Sequence, residues 1–153
     1  MATRRAVELS NARLPEQREV MEGILDDNVC PFCIESLARY HKKPILEEGA
    51  FWLVTENQWP YPDTEFHLLM IAREHVQTLS DFGENVGPAF AELGALATKY
   101  LDIYGTDTAG FGMRIGDPSK TGGTVDHLHA HLMKIDANAP AGTKLKMKLG
   151  EIK

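Results

Sequence analysis

Cysteine is scarce in this chain: two of 153 residues, both in the run Cys30-Pro31-Phe32-Cys33. In a reducing compartment that spacing reads as a metal-binding or redox pair, not as a structural disulfide. Long apolar runs are missing as well. The longest near the middle, Leu68-Leu69-Met70-Ile71-Ala72, is far too short to cross a membrane. Met1-Ala2-Thr3-Arg4-Arg5 is followed by Ala6-Val7-Glu8, where a secretory leader would carry an apolar stretch, so a cytoplasmic location is expected. Nor is there an excess of positive charge. Lys and Arg total 16 against 22 Asp and Glu, for a net charge of −6. Broad nucleic-acid binding needs a basic surface to displace counterions, so that class is disfavoured, while one small basic pocket is still allowed. No internal repeat or low-complexity segment is visible.

What is present suits an ordinary globular protein. With 43% apolar and 25% charged residues, the length supports one domain over residues 1–153. Residues 1–13 are polar and without period, and are expected to be a loosely ordered N-terminal segment. Pro15 opens a helix with Val20, Met21, Ile24 and Leu25 on one face, and Asp26-Asp27-Asn28 stops it. Cys30–Cys33 forms a turn, and Ile34 to Tyr40 a short helix. Pro44 to Glu47 and Phe51 to Glu56 read as strands joined at Glu48-Gly49. Gln58 to Thr64 is a loop, and Phe66 to Ala72 an apolar, central strand. Asn85 begins a long helix in which Phe90, Leu93, Ala97, Leu101 and Tyr104 recur at helical spacing, and Gly105 ends it. Gly110 to Ile115 and Val125 to Ile135 are two further strands around a loop, Gly116 to Thr124. Lys144-Leu145-Lys146-Met147-Lys148-Leu149 alternates strictly, so 140–153 is expected to be a C-terminal tail with an edge strand, lysines outward. The order predicts an α+β fold: a mainly antiparallel five-stranded sheet with the long helix on one face.

His127-Leu128-His129-Ala130-His131 is the unusual feature. Side chains alternate along a strand, so three imidazoles about 6.6 Å apart share one face while Leu128, Ala130 and Leu132 serve the core. Six histidines in 153 residues would produce such an alternation by chance only roughly 0.01 times. The row can change charge near neutral pH. His41, among lysines, reads as surface.

The run His127-Leu128-His129-Ala130-His131-Leu132-Met133 resembles the histidine-triad (HIT) signature. Gly122-Gly123-Thr124-Val125-Asp126 resembles the loop before it. Phe66-His67-Leu68-Leu69-Met70-Ile71-Ala72-Arg73-Glu74-His75 resembles the family's upstream marker. The resemblance, to a zinc-containing bacterial-type member, covers about Cys30 to Met133 and implies a mechanism. His129 attacks the α-phosphorus of a nucleotide substrate, and a covalent nucleotidyl-histidine is then cleared by water or another acceptor. A backbone carbonyl usually fixes the tautomer of that ring. His131 and His67 face the same phosphate, and His131 can pass a proton to the leaving group. It also implies zinc held by Cys30, Cys33, His75 and His127, as in related galactose-phosphate uridylyltransferases; such a closed Cys2His2 set is structural. A homodimer through the long helix is implied too.

For phosphate and nucleotide binding, Thr124 is the first candidate, with Gly123 and Lys120 beside it in a loop of bare N–H groups. Arg114 stands where the family often has asparagine, and could contact an extra phosphate or acidic group. Glu56 or Asn57 takes the place of the ribose carboxylate. Trp59 and Tyr61 follow in a long loop and could stack on a base. The leading expectation is a nucleotide hydrolase or nucleotidyltransferase acting on dinucleoside polyphosphates, nucleoside phosphoramidates or adenylated small molecules. Two alternatives stand beside it: a metal-dependent hydrolase using the triad histidines as ligands, and a low-turnover nucleotide-binding or scaffold protein.

Overall fold

The computed structural model describes residues 4–153. Helix α1 spans Pro15–Asp27, opening on a proline whose fixed φ suits the first helical position and closing on Asn28 in the left-handed region. A short α2, Ile34–Tyr40, follows the cysteine turn. Strands β1 (Ile45–Glu48), β2 (Trp52–Glu56) and β3 (Thr64–Ala72) come next, then the long helix α3, Val86–Ile103. Strand β4 (Gly110–Met113), a single helical turn α4 (Pro118–Thr121) and β5 (His129–Ile135) complete the order. The sheet runs β1-β2-β3-β5-β4 with every pair antiparallel, and β3 lies in its centre as expected.

Alternation along the strands builds two unlike faces. Even-numbered residues, among them Trp52, Leu68, Met70, Ala130 and Leu132, pack with Ala89, Leu93, Leu96 and Tyr100 of α3 in the main core. The Trp52 indole N–H donates to Ala89 O at 2.7 Å, so the buried ring leaves no polar group unpaired. Odd-numbered residues face the other way. Leu53, Leu69 and Ile71 meet Leu37 and Phe32, and the histidines share that side.

Glu92 of α3 ties the helix to the β1–β2 turn. Its carboxylate accepts the backbone N–H groups of Ala50 (2.6 Å), Phe51 (2.7 Å) and Trp52 (3.0 Å). Bonds from backbone N–H to a charged acceptor are individually strong, and truncation would strand three donors. Glu92→Ala is expected to lower unfolding free energy by about 2 kcal/mol in a urea titration. A change under about 0.5 kcal/mol would show that the turn holds without it.

Four sequence expectations need correction. Residues 4–13 are not loose. Val7 is buried and bridges Val125, Glu8 N–H donates to Thr124 O (2.9 Å), and Asp126 N–H donates to Ala6 O (2.8 Å). Arg4 also ion-pairs with the buried Asp126. Backbone pairing of this kind leaves no hydrophobic period to read. The tail forms no edge strand: residues 140–153 carry no ladder, and the segment instead lies along the site. Strand β5 starts at His129, not at Val125; just before it, Leu128 O accepts from Ala72 N–H at the end of β3 and Leu128 N–H donates to Val76 O beyond that strand. His41 is buried, with its Nε2 2.6 Å from Thr55 Oγ1, and burial and then Lys43 lower its pKa. A 3-10 segment, Leu79–Asn85, was not anticipated before α3.

Among the described residues no helix is long and apolar enough to cross a membrane.

Candidate active site and metal centre

The row of three histidines divides between two jobs. His127 lies ahead of β5 and turns toward the cysteines, while His129 and His131 line a cavity of about 440 Å³ on the sheet face opposite α3.

At the first place, Cys30 Sγ lies 3.4 Å and Cys33 Sγ 3.8 Å from His127 Nδ1. Cys33 Sγ is 3.3 Å from His75 Nδ1, and the two Nδ1 atoms are 3.2 Å apart. A tetrahedron with metal–nitrogen bonds of about 2.0 Å and metal–sulfur bonds of about 2.3 Å has edges of about 3.3 to 3.8 Å. These four separations fall in or within 0.1 Å of that range, and all four donors lie within 4.8 Å of one another, as a shared metal ion requires. The tautomer fits too: His127 Nε2–H donates to Ala72 O at 2.6 Å, which leaves the Nδ1 lone pair directed at the cluster. Burial, and then Cys30, push the Cys33 thiol up to about 12, so this thiol keeps its proton unless a cation ionises it. Phe32, inside the same turn, presents its ring edge-on to His129 at 5.0 Å between centroids and to His127 at 6.1 Å. The turn thus shapes the cavity as well as the cluster.

At the second place, His129 Nδ1–H donates to His127 O at 2.6 Å. A carbonyl can only accept, so this ring carries its proton on Nδ1 and keeps a lone pair on Nε2. Burial above all pushes its pKa down to about 4; the His127 carbonyl opposes this and Arg114 adds to it. At neutral pH the ring is uncharged and nucleophilic.

His131 is reached by a chain of assigned tautomers. Tyr61 N–H, which can only donate, bonds His67 Nδ1 at 3.1 Å. His67 must then carry its proton on Nε2, which lies 2.8 Å from His131 Nδ1 and donates to it. His131 in turn carries its proton on Nε2, a buried atom with no partner among the described residues. Burial first, then the neighbouring histidines and arginines, hold the His131 pKa well below its ordinary value. His67 is pushed down to about 3 by burial, followed by Arg13, His129 and Arg114. Both rings are neutral donors. His67 is 4% exposed with both nitrogens engaged by the protein, so it stands behind His131 and not against a phosphate as expected.

The remaining expected residues are partly gathered here. Thr124, Arg114 and Asn57 line the cavity. Asn57 Oδ1 accepts Trp59 N–H at 2.8 Å, and its Nδ2 lies 3.2 and 3.5 Å from the two ring nitrogens of His67, so it serves the histidine chain. Gly123 sits behind the loop: its carbonyl accepts from Asn11 Nδ2 at 2.7 Å, and a Cβ there would come 3.3 Å from Arg114 Cδ. Lys120, on α4, is exposed and is not brought to the cavity. Tyr61 is not free to stack on a base, since the Arg13 guanidinium lies over its ring at 4.5 Å.

Sequence reasoning missed Arg13 and Asn11. Asn11 also donates to Pro118 O at 3.0 Å and so fixes both ends of the loop before Thr124. A polar residue in an aperiodic segment carries no signal of such a role.

Comparison with known proteins now bears on this arrangement. The family described as scavenger mRNA decapping enzyme C-term binding matches residues 29–147. Curated protein sequences give no match. Among solved structures, a HIT family hydrolase from Clostridium thermocellum is similar at 21% identity, covering 70% of this chain and 91% of that one, with a TM-score of 0.54. A hypothetical histidine triad nucleotide-binding protein from Sulfolobus tokodaii strain7 is also 21% identical, covers 81% of both chains and has a TM-score of 0.56. A zinc-bound histidine triad family protein from Mycobacterium smegmatis is 20% identical over 76% of this chain and 81% of its own, with a TM-score of 0.52. These likenesses carry the fold, and the family match spans most of the sequence: the chain belongs to the histidine-triad family, through its scavenger mRNA decapping enzyme C-term binding branch.

Proposed function

We propose that this protein hydrolyses or transfers a nucleotidyl group, with His129 as the nucleophile at the α-phosphorus. One observation carries the reading: the bond from His129 Nδ1–H to His127 O leaves Nε2 as a lone pair in the cavity wall. Nε2 forms the bond to phosphorus while the bond from phosphorus to the leaving group breaks. Water, or another acceptor, then attacks the same phosphorus and returns the imidazole. His131 contributes its Nε2–H as a hydrogen bond to a phosphoryl oxygen, where charge builds up in the transition state. It is not the general acid first expected, since a neutral imidazole holding one proton would become imidazolate on giving it away. His67 is a positioning residue that fixes the His131 tautomer. Thr124, on the loop that Asn11 holds through the Gly123 carbonyl, borders the attacked phosphate.

Zinc bound by Cys30, Cys33, His75 and His127 would supply a cross-link, with no open coordination position for substrate. Paired thiols available for metal suit a reducing cytoplasm. Val86, Phe90 and Ile103 are exposed on α3 and offer an apolar surface to a second copy in a homodimer.

The test is trapping with a nucleotide labelled at the α-phosphate. An acid-labile adduct whose label maps to His129 is expected. A zinc-loaded, folded protein that turns over substrate without such an adduct would overturn the covalent route, and one that binds nucleotide without either would leave a binding protein.

A further inference from the structure

Two arginines lining the cavity, Arg13 and Arg114, have no carboxylate partner among the described residues. Arg13 donates to Trp59 O and lies over the Tyr61 ring. Arg114 donates from Nε to Lys148 O at 2.6 Å and from its terminal nitrogen to the Tyr61 hydroxyl at 2.9 Å. Each guanidinium is therefore held on neutral groups, one over the Tyr61 ring and the other at its hydroxyl. Burial above all lowers the Arg13 pKa; Tyr61 opposes this and the repulsion of Arg114 adds to it. The rest of the lining reinforces this. Lys144, Lys146 and Lys148 lie on the tail side, and Asp63 is the one carboxylate among the described lining residues. In a chain of net charge −6, five of the 16 Lys and Arg residues thus line one cavity.

A single phosphate at His129 does not need this arrangement. The phosphate under attack has the Thr124 loop and the orphaned Nε2–H of His131, which is 4% exposed and lines the same cavity. Tyr61 lies beside that donor: its ring centroid is 4.7 Å from His67 and 6.0 Å from His131. The arginines therefore begin where the triad ends. The chemistry of departure points the same way. His129, His67 and His131 are neutral in the arrangement described, so a leaving group that must be protonated, such as an amine, finds hydrogen-bond donors but no imidazolium acid among them. A phosphate or pyrophosphate leaves as a stable anion and needs countercharge instead.

We propose that Arg13 and Arg114, bracketing Tyr61, form a second anion subsite next to the triad that takes the phosphate or polyphosphate leaving group of an acid-anhydride substrate. Guanidinium forks suit phosphate oxygens better than an asparagine side chain would, which gives the residue at position 114 its purpose. On attack by His129 Nε2, the anhydride P–O bond breaks, its electron pair goes to the departing phosphate oxygen, and the two guanidiniums receive the charge. The class so favoured, within the reading above, is a nucleotidyl group joined to further phosphates, in preference to phosphoramidates.

The experiment uses inorganic tripolyphosphate and inorganic phosphate as probes of the zinc-loaded full chain, read by calorimetric titration at fixed salt. Wild type is expected to bind tripolyphosphate at least about tenfold more tightly than phosphate, and Arg13→Gln/Arg114→Gln to lose that preference. Arg13→Lys/Arg114→Lys, which keeps both charges but not the forks, is expected to keep only part of the preference, and a thermal melt of each variant serves as the folding control. Equal binding of the two probes by wild type, including no binding of either, would overturn the subsite. So would a folded glutamine double variant that keeps the preference, since the anion would then belong to Lys144, Lys146 and Lys148. The reading of His129 fails separately: a chain that prefers tripolyphosphate yet forms no labelled adduct would retain the subsite and lose the nucleophile.

Discussion

His129→Ala is expected to lower turnover of an activated nucleotide at least about ten-thousand-fold, while its melting temperature stays within a few degrees of wild type. The size follows from the part assigned to the ring. Loss of a group that bonds covalently to the reacting atom removes the route itself, and the residual rate comes from binding and charge stabilisation alone, about 10³- to 10⁴-fold over water in well-studied hydrolases. The small change in stability follows from geometry. The ring is half-buried at a cavity wall and makes one hydrogen bond, to His127 O, whose loss leaves a carbonyl that water entering the cavity can satisfy. Steady-state kinetics with a thermal melt checks both. A variant that keeps a tenth or more of wild-type turnover would move the nucleophile elsewhere, and one that unfolds would make the ring structural.

Cys30→Ser is expected to show the opposite profile, losing at least about 4 kcal/mol of stability, or about 8–16 °C in melting temperature. The cluster joins three separate pieces of chain: the turn before α2, the segment after β3 and the segment entering β5. A metal bound only by the folded arrangement contributes its binding energy to folding. Chelation of wild type is expected to reproduce the loss, and added zinc to reverse it in wild type but not in the variant. Because Phe32 rests against His129 from within the same turn, activity should fall in parallel. A Cys30→Ser protein that melts with wild type, and a wild type indifferent to chelator, would mean that no metal braces the fold.

Much of the architecture could be read from residues alone, for identifiable reasons. Pro15, Asn28 and Gly105 mark helix ends because their backbone preferences are local. Strand β3 is legible because a buried central strand needs apolar residues on both faces. The metal donors and the centre of the triad carry their chemistry in the side chain and recur at fixed spacing. What was illegible depends on tertiary placement. The segment at residues 4–13 is held by backbone pairing with residues 124–126, and backbone groups are the same in every sequence. The tail alternates like a strand, yet alternation needs a neighbouring edge to become a ladder, and here the segment lies along the cavity instead. His67 reads as a phosphate ligand until the N–H of Tyr61, six residues earlier in a loop, is found to claim one of its nitrogens. Arg13 acquires its meaning only from Tyr61 and Arg114, residues far along the chain.

The parity of the sheet has an evolutionary consequence. Ala130 and Leu132 go under α3 while His129 and His131 go to the cavity, so one added or lost residue entering β5 would exchange the two sets. Imidazoles would be driven into hydrocarbon and aliphatic groups would be left facing phosphate. Apart from the two histidines, residues along this stretch can exchange for others of like polarity, whereas its length cannot change, and descendants should differ here by replacement and never by indel.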